Sequence, residues 1–182
     1  MKSEIYKKIE SVFRNSTSQD ELFDTFGVAI NNKIHDFELY KILLANPVLS
    51  VEEIKMYAEK LLREITDSSY QICMWTAKIF ESHSFDFMSL EDTIKYYEQA
   101  ATFKPTEFEP YLNLLNLYNY EVDTQFNNKI FELADVGVNS VTLKSKVYNA
   151  LSELFKKKGD LRTASRYLAL AEKAAENERE MT

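Results

Sequence analysis

His35 and His83, together with Cys73, are the side chains best equipped for metal ligation or nucleophilic attack, and their spacing supports neither. The two histidines fall in different predicted helix pairs. No HExxH or comparable ligand spacing occurs, so both are expected at surfaces or turns. Cys73 is the single cysteine and stands in the apolar run ICMWTAKIF. With no partner in the chain it forms neither an internal disulfide nor a cysteine zinc site, and a buried helical thiol is the expectation. There is no glycine-rich phosphate loop, no GxSxG elbow and no nucleophile with a base nearby in sequence. No catalytic residue, metal or cofactor is therefore expected, and the chain does not read as an enzyme. Lys156, Lys157 and Lys158 close a predicted helix, where cations meet the negative end of its dipole, so their run reads as helix termination rather than an anion site. Trp75, Tyr96 and Tyr97 have apolar neighbours at helical spacing and are expected in the core.

Charge narrows the partners. The formal net charge is -7, whereas a phosphate backbone calls for a basic stripe, so no nucleic acid is expected. From Lys144 onward nine Lys or Arg face six Asp or Glu, which puts a mildly basic end on an acidic body. The N-terminal MKSEIYKKIESVF has no continuous apolar core, and no window approaches the roughly 18 apolar residues of a membrane span. No membrane contact and a cytoplasmic location are the expectation.

The elements that would position any binding residues are helices. With 3 Gly and 3 Pro in 182 residues there is little turn chemistry for a sheet, while 45% hydrophobic and 28% charged residues suit an ordinary folded chain. Ser18-Gln-Asp-Glu21, Ser50-Val-Glu-Glu53 and Ser89-Leu-Glu-Asp92 each place a hydroxyl three residues before an acid, the arrangement of a capped helix start. Asp36, Ser68, Asp123, Asn139 and Asp160 read as single caps, and Pro47, Pro105, Gly137 and Gly159 stand where helices should stop. These signals predict ten helices, over 3–15, 19–33, 37–45, 51–66, 69–83, 90–103, 108–121, 124–136, 141–158 and 161–178. Short links make them about five antiparallel hairpins.

Self-similarity distinguishes a bundle from a stack. Around Gly159, the first helix carries Tyr148, Leu151, Ser152 and Phe155, and the second Ala164, Leu168 and Ala171. The preceding hairpin has Tyr111, Leu114, Leu115 and Tyr118, then Phe131 and Ala134. The hairpin before that has Ala77 and Phe80, then Tyr97 and Ala100, with Pro105 behind it. This pattern resembles the tetratricopeptide repeat, whose units of about 34 residues pair an aromatic-leucine-small helix A with a small-large-small helix B. The resemblance implies an all-α, right-handed superhelical stack of about five antiparallel helix hairpins. On that expectation residues 67–182 hold three repeat-like units, about 68–105, 108–141 and 145–178, and residues 1–66 are degenerate hairpins capping the stack, with a separate small helical domain as the alternative.

What the resemblance implies for function is a concave groove lined by the A helices. Its exposed residues would be Gln71, Met74 and Lys78; Glu109, Leu112, Asn113, Asn116 and Tyr120; and Lys146, Asn149, Glu153 and Lys157. Asparagine amides donate and accept at once, which suits the backbone of a bound peptide or helix. One variant of the family grips a C-terminal carboxylate through lysine, asparagine and arginine. Asn113 and Lys146 match it, but Met74, Lys78 and Ala150 do not, so that clamp is not expected. In the long turn SHSFDFMS, Phe85, Phe87 and Met88 are apolar residues in a predicted connection, and Phe85 and Phe87 are candidates for docking. The expected role is a protein-binding adaptor or scaffold, as regulator or assembly chaperone. The rival readings are an RNA-associated helical repeat protein and a homo-oligomer paired through the last helix, ASRYLALAEKAAENE.

Overall fold

Side-chain caps start the helices where the sequence supplies them. In the computed structural model, which describes residues 3–83, 87–118 and 124–180, Ser3 accepts from the Tyr6 amide to open α1 (Glu4–Asn15), and Ser18 from Glu21 to open α2 (Gln19–Asn31). Asp36 caps α3 (Phe37–Leu44) through the Glu38 amide. Ser50 and Glu53 form the full reciprocal box at α4 (Val51–Glu64), each side chain taking the other's backbone N–H. A 3-10 turn ending at Ser68 runs straight into α5 (Ser69–His83), and α6 (Phe87–Phe103), α7 (Glu109–Asn116) and α8 (Thr124–Ser140) follow. The last pair is α9 (Lys144–Lys157) and α10 (Leu161–Glu180). The described residues are all-helical, without a strand.

Gly159 ends α9 at φ +77°, with its N–H donating to the Lys156 carbonyl and that of Asp160 to Phe155. This is the paired closure that glycine adopts without a Cβ penalty. Asp160 then caps α10 through the Thr163 amide. Lys33, at φ 52°, closes α2 with the same two bonds, to Ile30 and Ala29, though it carries a side chain.

Three expected boundaries are corrected. Gly137 does not stop a helix: it lies inside α8, where a Cβ would sit 2.7 Å from two ring carbons of Tyr111. Its role is to let α7 lie close against α8. Asn139, read as a cap, is likewise inside α8 and donates to the Asp135 carbonyl four residues back. Ser89 falls inside α6, which begins at Phe87, rather than ahead of it. Asp123 lies outside the described residues. α9 starts at Lys144, with no cap from its own N-cap residue Leu143. Instead Glu178 of α10, 33 residues away, accepts from both the backbone N–H and the hydroxyl of Ser145, at 2.9 and 2.6 Å.

The chain divides into two units, residues 1–93 and 94–182, with the division inside α6. In the first, α1 packs on α2 and α3, α3 on α4 and α5, and α4 on α5. Its core holds Phe13, Leu22, Tyr40, Leu43 and Leu61 at full burial, with Phe26 edge-on to Tyr40 and Tyr57 at 6.0 and 4.8 Å. In the second, α7 packs on α8 and α9, α8 on α9, and α9 on α10. Small residues set that last contact: Ala164 and Ala171 are buried, and Ser152 donates its hydroxyl to the Ala164 carbonyl at 2.9 Å. Tyr96 and Tyr97 are core residues, and Asn127 is buried. No helix of the described residues is long and apolar enough to cross a membrane.

Cys73 is fully buried, and burial pushes its thiol up to about 12. Since the thiolate is the nucleophile, iodoacetamide at pH 8 should label the folded chain at least roughly a hundredfold more slowly than the urea-unfolded chain. Comparable rates would place Cys73 outside the core.

Candidate functional site

α1, α3 and α5 are neighbours, and the surface between them is an open cleft of about 540 Å³ in the first unit. Its apolar and aromatic lining residues are Tyr6 and Phe13 from α1, Ile42 from α3, Ala45 and Pro47 beyond it, and Trp75 from α5. Its charged residues come in pairs. Glu10 meets Arg14 at 3.3 Å one turn along α1, and Glu38 meets Lys41 at 3.1 Å along α3. Both pairs are solvent-exposed, where such contacts stabilise little, about 0.3–0.5 kcal/mol. Their effect is to place both signs of charge beside the apolar residues of the cleft.

Two polar links fix the walls. The Tyr6 hydroxyl donates to Asp36 at 2.6 Å, tying α1 to the cap of α3. Asn46 donates through Nδ2 to the carbonyls of Phe13 and Ser16, both at 3.0 Å, and its Oδ1 accepts from the Val48 amide. The carbonyls at the end of α1, which helix geometry leaves unpaired, are thus met by a side chain from beyond α3.

Trp75 corrects the expectation of a core residue. It is half-buried and lines the cleft. Its Nε1–H donates to the Lys41 carbonyl at 3.2 Å, and the Lys41 ammonium stands over its ring at 4.8 Å. The indole is therefore held at one edge with a face toward a cation, a positioned aromatic surface lining the cleft.

Of the residues expected to line a groove, Gln71 and Lys78 are exposed on α5 and Met74 is half-buried. Gln71 and Lys78 lie four residues before and three after Trp75, on one stripe of the helix. On α7, Asn116 is exposed and Glu109, Leu112 and Asn113 are half-buried. On α9, Lys146, Asn149, Glu153 and Lys157 are exposed. α7 and α9 pack together, so these two sets belong to one unit, while the α5 set belongs to the other. Tyr120 and Phe85 lie outside the described residues. Phe87 begins α6, and its side chain is outside the description.

The sequence reading missed the contribution of residues 1–66, which supply most of the cleft. One signal was available for Trp75: the spacing that picked out Gln71 and Lys78 includes it. Asn46 gave no such signal, because the carbonyls it meets are 30 and 33 residues away.

Among the described residues no group of three or more His, Cys, Asp or Glu is placed to hold a metal ion. Comparison of the chain with family models, curated proteins and solved structures finds no match in any of the three.

Proposed function

We propose that this chain is a protein-binding adaptor of the cytoplasm and not an enzyme, holding a peptide or helix of a partner protein. In this reading the hairpins of each unit stack in the right-handed manner of tetratricopeptide repeats, and α1, α3 and α5 act as the A helices. The observation that carries it is the cleft between those three helices, with a half-buried tryptophan, neighbouring apolar residues and paired charges of both signs. A partner segment would seat an aromatic or aliphatic side chain against Trp75 and run its polar side chains along Glu10, Arg14, Glu38 and Lys41. The preference is for mixed charge, since neither sign prevails among those four groups. Gln71 and Lys78, one turn to either side of Trp75, extend the contact along α5.

Trp75 is the chain's single tryptophan, so its fluorescence reports on the cleft. Sixteen-residue peptides selected from a displayed random library on the whole chain should shift its emission on binding. Trp75→Ala should lower their affinity at least tenfold, as expected for an aromatic anchor at the centre of an interface. Peptides that bind without changing the emission and tolerate Trp75→Ala would overturn the assignment of this cleft.

A further inference from the structure

Three aromatic rings in the second unit converge on one ammonium. The Nζ of Lys158 lies 5.0 Å from the ring centroid of Tyr118, 5.1 Å from that of Phe131 and 5.2 Å from that of Phe155. The rings come from three separate segments: Tyr118 just beyond α7, Phe131 on α8 and Phe155 on α9. They brace one another, with Tyr118 and Phe131 centroids 5.4 Å apart and Phe131 and Phe155 5.6 Å apart. Tyr167 of α10 stacks behind Phe155 at 5.5 Å. All four rings are half-buried, so the cluster has solvent on one side and is not closed core.

The resident lysine is not needed there by its helix. Lys156 and Lys157 are exposed in the last turn of α9 and satisfy the negative end of its dipole. Nor does an ion pair hold Lys158 among the described residues. Its ammonium is therefore free to leave for water.

The dimensions favour a larger cation. A methyl group on the nitrogen, pointing at a ring, would lie roughly 1.5 Å closer than the nitrogen itself, about 3.6 Å from the ring centroid and about 3.9 Å from its carbons, within the optimal range of van der Waals contact. A bare ammonium fills that space incompletely. The present occupant also shows that a lysine stem reaches the cage.

We propose that Tyr118, Phe131 and Phe155 form a recognition cage for a trimethylated lysine side chain of another protein, a site that Lys158 fills as an internal stand-in when no ligand is bound. Methylation keeps the charge and sheds hydration, which is what three ring faces select. The site is separate from the cleft of the first unit and does not depend on that reading.

Lys158→Ala empties the cage, and Lys158→Gln is the second variant, since either changes only the half-buried cap of α9. Each whole chain is titrated with Nα-acetyl-trimethyl-lysine amide, its unmethylated counterpart and phosphocholine, with aromatic ring proton shifts as the readout. Both variants should bind the trimethylated compound at least tenfold more tightly than the unmethylated one, and at least tenfold more tightly than the unaltered chain does. Phe155→Leu added to Lys158→Gln should abolish the binding. No binding by either folded variant, equal affinity with and without the methyl groups, or tighter binding of phosphocholine would each overturn the proposal.

Discussion

Gly137→Ala should destabilise the second unit by up to about 2 kcal/mol, although alanine is the better helix former. Helix propensity alone favours the change by about 1 kcal/mol, since glycine inside a helix loses more backbone entropy. Against it stands the new methyl, 2.7 Å from Cγ and Cδ1 of Tyr111 and 3.1 Å from Cδ2. Those atoms belong to the root of a ring that is 2% exposed, so it has no free volume to swing into. Overpacking of this kind costs about 1–3 kcal/mol, and the net sign is unfavourable. The same substitution at Gly27 of α2 should have the opposite sign. There a Cβ meets nothing within 4 Å and the backbone is ordinary helix, so Gly27→Ala should stabilise by about 0.4–1 kcal/mol. A double-mutant cycle isolates the cause. With Tyr111→Ala already in place, Gly137→Ala should become stabilising in urea unfolding followed by circular dichroism. A cost that persists without the ring would show that something other than Tyr111 demands the glycine.

Asn46→Ala is expected to have the larger effect, about 3 kcal/mol, because the side chain is 6% exposed and serves three backbone groups at once. Its removal leaves the carbonyls of Phe13 and Ser16 and the amide of Val48 to find water in a crowded place. Asn46→Asp keeps the shape but turns a carboxylate toward two carbonyl oxygens, and at neutral pH should cost at least as much as alanine. Urea unfolding read by Trp75, which lies in the same unit, measures both. A loss below about 1 kcal/mol for each would mean that these bonds barely exceed what water provides. Since Asn46 also lines the cleft, a folded Asn46 variant should bind selected peptides less tightly.

The contrast between Gly159 and Gly137 shows what a sequence makes legible. The N–H of Gly159 meets Lys156 and that of Asp160 meets Phe155, within five residues, so the helix stop and the cap at Asp160 are decided locally. Ser18, Asp36 and Ser50 were readable for the same reason, their acceptor atoms meeting amides two or three residues ahead. Gly137 looks identical in the sequence, yet its reason is Tyr111, one helix earlier. Asn139 and Ser89 failed as caps because a helix-forming neighbourhood carried the backbone through them. Helix count and order were therefore accessible from local rules, whereas the cleft was not. Trp75 belongs to it because Lys41, 34 residues back, presents a carbonyl to the indole. No short-range rule contains that pairing.

Glu178 carries a consequence of this kind for the last hairpin. By accepting both donors of Ser145 it joins the far end of α10 to the near end of α9, while Gly159 joins their other ends. The pair is thereby a closed circuit and not an open fork. A final helical turn, which left alone would fray first, becomes a clasp, and unwinding it strips a remote amide of its acceptor in the same stroke. Two segments distant along the chain consequently come undone as a single event.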